Sequence, residues 1–423
     1  MTVPLARGLA DLRDAPWLRS PAAMRVLTLL NADNEEARVV GGAVRNALLG
    51  LPVGDIDIAT TATPDEVIRR AGLAGVKSAP TGIAHGTVTL IADGQPFEVT
   101  TLREDVETYG RKAKVAFGRD WQRDAARRDF TINALSVSLD GVVHDYAGGL
   151  ADLAARRVRF IGEPAQRIAE DYLRILRLFR IHAAYGEGRV DREGLAACIA
   201  GRAGVATLSA ERIRIELLKL LVAPGAAPAL TEMANAGLLL PILGGVAYQA
   251  SLDAIIRAEA SLALAPDAVL RLGALAVWMK EDAERLASRL RLTNAEAKRL
   301  DSMAHRWWRL AAMDETAARR RLYRLGPARY RDRMMLAAAR TGGGIDAQLG
   351  ALLTLPERWS APAFPLKAAD FLQRGLTPGP ALGDALARAE DAWIDAGFPD
   401  DPALIESLAA AAARTALLTT ARR

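Results

Sequence analysis

Cysteine is almost absent: Cys198 is the only one in 423 residues. No disulfide framework and no zinc cluster can be built within the chain, and a reducing compartment fits. Histidine is nearly as scarce, with His85, His144, His182 and His305 the only four. With so few, no metal-dependent phosphohydrolase domain is expected. No run reaches about eighteen uninterrupted apolar residues, so no membrane span is expected. The N-terminus MTVPLARGLADLRD has acidic residues early and no apolar core of signal-peptide type, so cytoplasm is expected. There is no internal repeat of fixed period and no long low-complexity tract.

What is present is apolar and basic. Hydrophobic residues make up 51% of the chain, enough for substantial cores, and the length suggests two to four domains. Formal net charge is +5, with arginine far outnumbering lysine. That balance points toward a polyanionic partner, though a solvated basic surface accounts for it equally well.

Organisation changes along the chain. ARVV (Ala37–Val40) reads as a short strand, followed by GGAVRNALLG with helical spacing and a closing Gly50. DIDIATT is the next strand, and TPDEVIRRAG starts a helix with Thr63 as cap and Pro64 first. Alternation on both sides of Asp93-Gly94 and of Asp140-Gly141 predicts two hairpins. These give five or six strands with few helices. After about Leu150 strand signals stop. Pro164–Gly186 reads as one long helix and SAERIRIELLKLLVAPG as another, ended by Pro224 and Gly225. The Ala-, Leu- and Arg-rich remainder keeps helical periodicity.

Asp55 and Asp57 alternate with Ile56 and Ile58. In a strand, residues two apart share a face. Two neighbouring carboxylates raise each other's pKa, so something must neutralise them. Little more than a short helix earlier, the Gly41-Gly42 turn lets backbone approach a ligand, and Arg45 adds a guanidinium fork suited to phosphate. Alone, this is neither a G-x-G-x-x-G nor a P-loop pattern, and a tight turn with a surface arginine is the simpler reading. Beside a carboxylate pair, it matches the needs of a magnesium–triphosphate complex. Two such ions can stabilise the attacking and leaving oxygens of an in-line displacement.

The combination GGAVRNALLG…GDIDIATT resembles the signature of the class II nucleotidyltransferases of the DNA-polymerase-β superfamily, which comprise the tRNA CCA-adding enzymes and bacterial poly(A) polymerases. ARRDFTINAL (Ala126–Leu135) resembles that family's second motif. DYAGGLADLAARRVRFIG (Asp145–Gly162) resembles its link from head to neck, and EDYLRILRLFR (Glu170–Arg180) its base-reading helix. Order and spacing agree across roughly residues 25–220. Farther on, only the tail stretch PLKAADFLQRGLTPGPALGDAL is similar in more than character.

The resemblance implies an α+β fold with a small mixed-sheet head and an all-helical neck, body and tail. The expected boundaries are head 1–148, neck 149–222, body 223–345 and tail 346–423. The implied activity is template-independent addition of CCA to tRNA from CTP and ATP, with Mg²⁺ as cofactor. The rivals are a poly(A) polymerase, a CC-only or A-only enzyme, and a non-catalytic RNA-binding protein. APTGIAHGTVTL (Ala79–Leu90) stands where poly(A) polymerases typically carry a Gly-Arg-Arg-Phe-type basic element, which favours the CCA-adding form.

The implied metal ligands are Asp55 and Asp57, with Glu98 a candidate third catalytic carboxylate that a surface strand position explains equally well. The implied nucleotide-binding residues are Gly41, Gly42, Arg45, Arg128, Asp129, Asp171, Arg174, Arg177 and Arg180. Cytosine and adenine both place an exocyclic amino donor beside a ring-nitrogen acceptor, whereas uracil and guanine place a carbonyl there. An Asp171/Arg174 pair, one face of a helix at i and i+3, would accept the first two. Without the other motifs an ordinary Asp171–Arg174 salt bridge would be the better reading. The stretch Arg103–Asp120 is polar and Gly-punctuated; the resemblance implies that it lies where the family has a mobile loop affecting the switch from C to A addition.

One position departs from the family's usual Gly-Gly-x-Val-Arg-Asp: Asn46 stands where Asp is common. It keeps size and hydrogen bonding but loses charge near Arg45. In the helical half, AKRLDSMAHRWWRL and TAARRRLYRLGPARYRDR mix arginine with aromatics. Such stretches are commonly solvated faces, and a tRNA substrate shifts the balance toward RNA contact.

Overall fold

The computed structural model describes residues 11–83, 86–109, 112–305, 313–342 and 345–421. His85, Gly110 and the Trp307-Trp308 pair lie outside them. The chain divides into two compact units, 1–244 and 245–423.

The first unit opens with α1 (Pro21–Leu30), capped by Ser20. Then follow β1 (Ala37–Val40), α2 (Gly42–Leu48), β2 (Asp57–Thr60), α3 (Pro64–Leu73), β3 (Lys77–Gly82), β4 (Thr87–Ala92) and β5 (Gln95–Thr101). A separate two-stranded ribbon, β6 (Arg103–Tyr109) and β7 (Lys112–Phe117), leads to α4 (Trp121–Ala126), a 3₁₀ turn at Thr131–Asn133, β8 (Ser136–Val137) and β9 (Val143–His144). The main sheet has seven strands in the order β3-β4-β5-β2-β1-β8-β9. It is mixed: β2 runs parallel to β5 and every other pairing is antiparallel.

Local chemistry explains the elements that matter. β1 is buried throughout and lies inside the sheet, between β2 and β8. Gly41 has φ 71°, ψ −122°, a conformation that a side chain would strain. Thr63 caps α3 and Pro64 opens it. The Asp93-Gly94 tip has φ of 51° and 80°, which suits a two-residue hairpin turn. In the second hairpin, β8 and β9 pair as expected around Asp140-Gly141.

Four sequence expectations are corrected. The sheet has more strands than five or six. β3 contains Pro80 and has a register shift between Ala79 and Gly82, so its alternation is weak, and it sits at an edge where proline is tolerated. The polar stretch after Leu102 forms the β6–β7 ribbon. Strand β2 starts at Asp57, so Asp55 lies in the lead-in rather than within the strand; even so, Asp55 and Asp57 are exposed while Ile56 and Ile58 are buried.

The fourth correction concerns the long helix. Pro164–Gly186 is two helices, α6 (Pro164–Glu170) and α7 (Leu173–Tyr185). Asp171 breaks the run with φ −156°, ψ 106°. Its carboxylate accepts from the Leu173 N–H at 3.1 Å, satisfying an orphan donor of the new helix. Asp171 and Arg174 therefore do not share one continuous helix, and they form no mutual salt bridge.

Between head and neck lies α5 (Gly149–Ala154). Asp145 accepts from the N–H groups of Ala147, Gly149 and Leu150 at 2.9–3.0 Å, so its carboxylate caps the turn that leads into α5. A Cβ on Gly149 would lie 2.3 Å from the Thr131 carbonyl, so only glycine allows this close packing. Asp152 is fully buried; it accepts from Thr131 Oγ1 and from Arg159, both at 2.6 Å. Beyond α7, α8 (Arg192–Gly201), α9 (Ala210–Leu221), α10 (Ala226–Asn235) and α11 (Leu239–Leu243) complete the unit.

The second unit is helical in its described residues. Helices Pro380–Asp395 and Pro402–Ala421 meet along a seam of Ala385, Ala389, Ala409, Ala412, Ala413 and Ala416, with Phe371 buried beside it. Small residues let the two backbones approach closely. The arginine-rich helices Glu315–Leu325 and Pro327–Thr341 spend much of their charge inside this unit. Arg320 pairs with Asp395 at 3.2 Å, Arg324 with Asp391 at 2.5 Å and Arg331 with Glu357 at 3.2 Å. No described helix is long and apolar enough to cross a membrane.

Candidate active site

The register of β2 against β5 sets the first feature. Asp57 lies opposite Glu98 in parallel pairing, while Val99 and Ile58 pack inward. Asp57 is exposed, yet its carboxyl is held above the ordinary range by the protein around it, then by Glu98, then by Asp55; Arg128 opposes the rise. Among the described residues none of these three acids forms an ion pair.

A cavity of about 470 Å³ opens on one side of Asp57. Gly41, Gly42 and Arg45 of the turn and α2 line it, with Arg128, Asp129 and Asn133 from the second motif. Asp171, Arg174, Arg177 and Arg180 line it from the α6–α7 break and α7, and Arg212 from α9. Thus all nine residues expected to bind nucleotide meet at one cavity. A second cavity of about 390 Å³ is lined by Asp57, Glu98, Thr87, Thr100, Arg103, Arg127 and Arg128, among others. Asp57 and Arg128 belong to both. Asp55 lines neither and reaches the site through its field on Asp57.

The carboxylates deeper in the first cavity are all engaged. Asp129 accepts from Arg177 Nε at 2.8 Å, Asn133 Nδ2 at 3.1 Å and the Phe130 N–H at 2.9 Å. Burial pulls its pKa up, but Arg177 and these donors together hold it below the ordinary value. Asp171 is bound in bidentate fashion by Arg212, at 2.6 and 3.2 Å. Its burial is likewise outweighed by Arg212 and the Leu173 N–H, so it stays ionised. Glu216, on α9, accepts from Arg180 Nε at 2.5 Å and lies 3.7 Å from Arg177. Arg174 donates to Glu170 at 2.5 Å and to the Arg167 carbonyl at 2.6 Å through Nη1.

Arg212, Glu216, Glu170, Arg167 and Asn133 were not singled out from the sequence. Arg212 and Glu216 share a helix face at i, i+4, which is a weak signal because any amphipathic helix carries such pairs. Arg45 is nearly buried and its guanidinium is well occupied. It donates to Asn46, to Asn133 at 2.5 Å and to the Tyr185 hydroxyl at 2.6 Å, and it stacks 3.6 Å from the Tyr185 ring. Burial lowers its pKa from the usual guanidinium value, leaving it charged. It thereby ties α2 to the end of α7.

The donor set fits a divalent cation of the hard type. Among the described residues no three His, Cys, Asp or Glu side chains form a ready-made cage. Magnesium uses one or two carboxylates and completes its shell with water and substrate phosphate, which is what unpaired Asp57 and its acidic neighbours offer.

A carboxylate edge shared by two cavities, one of them walled by arginine, is an arrangement suited to nucleotidyl transfer. Residues 37–159 match the family model described as Poly A polymerase head domain, and residues 189–249 the one described as Probable RNA and SrmB-binding site of polymerase A. The mitochondrial CCA tRNA nucleotidyltransferase 1 of Mus musculus is 35% identical over 387 residues, covering 89% of this chain and 87% of that protein. The CCA-adding enzyme of Limosilactobacillus fermentum is 32% identical over 386 residues, covering 90% and 94%. The crystal structure of the Bacillus stearothermophilus CCA-adding enzyme in complex with CTP matches with a TM-score of 0.73 at 26% identity, covering 92% of this chain and 97% of that one. The chain belongs to the CCA-adding tRNA nucleotidyltransferase family.

Proposed function

We propose that this enzyme adds CCA to the 3′ end of tRNA, taking CMP from CTP and AMP from ATP and releasing pyrophosphate. The observation that carries the reading is the position of Asp57 between two cavities, one lined by base- and phosphate-complementary groups and one open beside it. The nucleoside triphosphate occupies the first cavity, its phosphates near the Gly41-Gly42 turn and Arg128. A Cβ on Gly41 would lie 3.4 Å from Arg128 Nη1, so the turn and this guanidinium face the same space. The tRNA 3′ end approaches from the second cavity, where Arg103, Arg127 and Arg128 favour a phosphodiester backbone.

Asp55 and Asp57, with Glu98 beside them, are the residues to hold Mg²⁺, which when bound supplies charge stabilisation at the reacting phosphoryl oxygens. The chain's own contribution is alignment. The 3′ oxygen bonds to the α-phosphorus as the bond to pyrophosphate breaks, and arginines around the cavity stabilise the charge on the phosphates. Asp171 accepts from the exocyclic amino group of C or A and Arg174 donates to the neighbouring ring nitrogen. Arg212 keeps the Asp171 carboxylate ionised and oriented, while Asp129 and Glu216 fix Arg177 and Arg180.

Head 1–148, neck 149–222, body 223–345 and tail 346–423 are the functional divisions this reading assigns. Cytoplasm is the assigned compartment, on the single buried Cys198; cell fractionation checks it against the mitochondrial location in the mouse relative's name. The activity is tested by incubating purified protein with tRNA lacking its CCA and each labelled nucleotide separately and together. Ordered C, C, A addition supports the reading. Long ATP-only tails mean poly(A) polymerase, and no incorporation means an RNA binder.

A further inference from the structure

Asn46 sits between a group that can only donate and a group that can only accept. Arg45 donates to Asn46 Oδ1 through Nε at 3.2 Å and Nη2 at 2.9 Å. On its other side, Asn46 Nδ2 donates to the Pro52 carbonyl at 3.0 Å. The chemistry fixes the amide's orientation, because a guanidinium has no acceptor and a proline carbonyl no donor. The Asn46 backbone carbonyl also accepts from the Leu51 N–H at 2.9 Å. Residues 51–56 have no regular structure, and they lead directly into Asp57.

The same neutrality has an electrical side. Arg45 makes its hydrogen bonds to Asn46, Asn133 and Tyr185, all uncharged, and among the described residues no carboxylate pairs with it. It lines the first cavity as a charged group, with the Asp129 carboxylate acting on it only through space. An aspartate at position 46 would neutralise Arg45 and set a carboxylate oxygen against the Pro52 carbonyl.

We propose that Asn46 is a positioning residue of nucleotidyl transfer: it locks the segment that delivers Asp55 and Asp57 to the helix following the glycine turn, and it leaves the Arg45 charge for the substrate's phosphates. This rests on the nucleotidyltransferase reading of the site. The mechanical part acts on the transfer rate, and the electrical part on triphosphate affinity.

The test separates them. Turnover on tRNA and equilibrium binding of CTP without tRNA, read by calorimetry, are measured for wild type, Asn46→Asp and Asn46→Ala, with melting temperatures alongside. Both variants are expected to lose about tenfold in kcat, the scale of a displaced reacting group. CTP affinity is expected to fall about fivefold in Asn46→Asp and to stay within about twofold in Asn46→Ala, since only the first adds a counter-charge. Wild-type kcat and affinity in Asn46→Asp overturn the proposal. So does a uniform loss in both variants that merely tracks melting temperature. Should Asn46→Asp fail to fold, Asn46→Ala with unchanged kcat overturns the mechanical part by itself. Should wild type add no nucleotide, the functional reading fails, and equal CTP affinities across the three proteins would overturn the inference separately.

Discussion

Two groups of acids line the same part of the first unit in opposite electrical condition. At the sheet edge, Asp57 is pushed up by the protein around it and by Glu98 and Asp55, and among the described residues none of these acids forms an ion pair. Around the first cavity, Asp129, Asp171 and Glu216 each hold one or two guanidinium groups. The unpaired group stands at a cost in stability. The paired acids are held ionised and fix the arginines around the first cavity. Burial alone would raise both; an arginine partner decides which acids stay ionised.

The comparison breaks first at Asp57. Asp57→Asn is expected to lower transfer by about a thousandfold or more, since it removes charge where phosphoryl charge must be stabilised. Its folded-state pKa is raised, so its contribution to stability is greatest below the ordinary carboxylate value and declines as pH rises through the folded value. The variant should therefore melt no lower than wild type at neutral pH in chelator, by calorimetry. A lower melting temperature would show the acid to be structural.

Asp129→Ala should behave oppositely. Removing it frees Arg177 from its main partner and should cost about 2 kcal/mol in denaturant unfolding, with transfer reduced about a hundredfold through misplaced arginines. Asp171→Asn should change choice more than rate. Selection of CTP and ATP over UTP and GTP is expected to narrow by about tenfold, measured as kcat/KM ratios, because the amide can present a donor to a carbonyl. Unchanged ratios would remove Asp171 from base reading.

Acid titration sharpens the contrast. The lowered pKa values of Asp129 and Asp171 give stability that is present above the ordinary carboxylate range and lost as pH falls through the folded values. The wild type should lose melting temperature across that window, and an Asp129→Asn, Asp171→Asn double variant should lose less. The smallest effect lies in the second unit, where Arg324→Ala breaks an exposed pair with Asp391 and should change unfolding by about 0.5 kcal/mol. A loss of tRNA affinity in that variant, by filter binding, would assign RNA contact to this helix.

Much of this was readable from local pattern. Alternation marked Ile56 and Ile58 as core and placed Asp55 and Asp57 on the other face; Gly41 announced its turn; the Asp-Gly pairs announced their hairpins. The residues expected around the nucleotide all reached one cavity. What local pattern missed is non-local. Apolar spacing runs unbroken through Asp171, so one helix was expected where a carboxylate caps a second. The partner that holds Asp171, Arg212, comes from another helix with nothing in its own sequence to announce the pairing. Strand β6 is polar, and β3 carries a proline, so neither shows the alternation by which a half-buried strand is recognised.

The most direct test is single-turnover addition of labelled CMP to tRNA lacking CCA, using protein stripped with chelator and then titrated with Mg²⁺. The account predicts no transfer in chelator, recovery with Mg²⁺ in wild type, and no recovery in Asp57→Asn at any concentration that saturates wild type. Transfer that persists in chelator, or an Asp57→Asn enzyme that recovers on the wild-type titration curve, would contradict it.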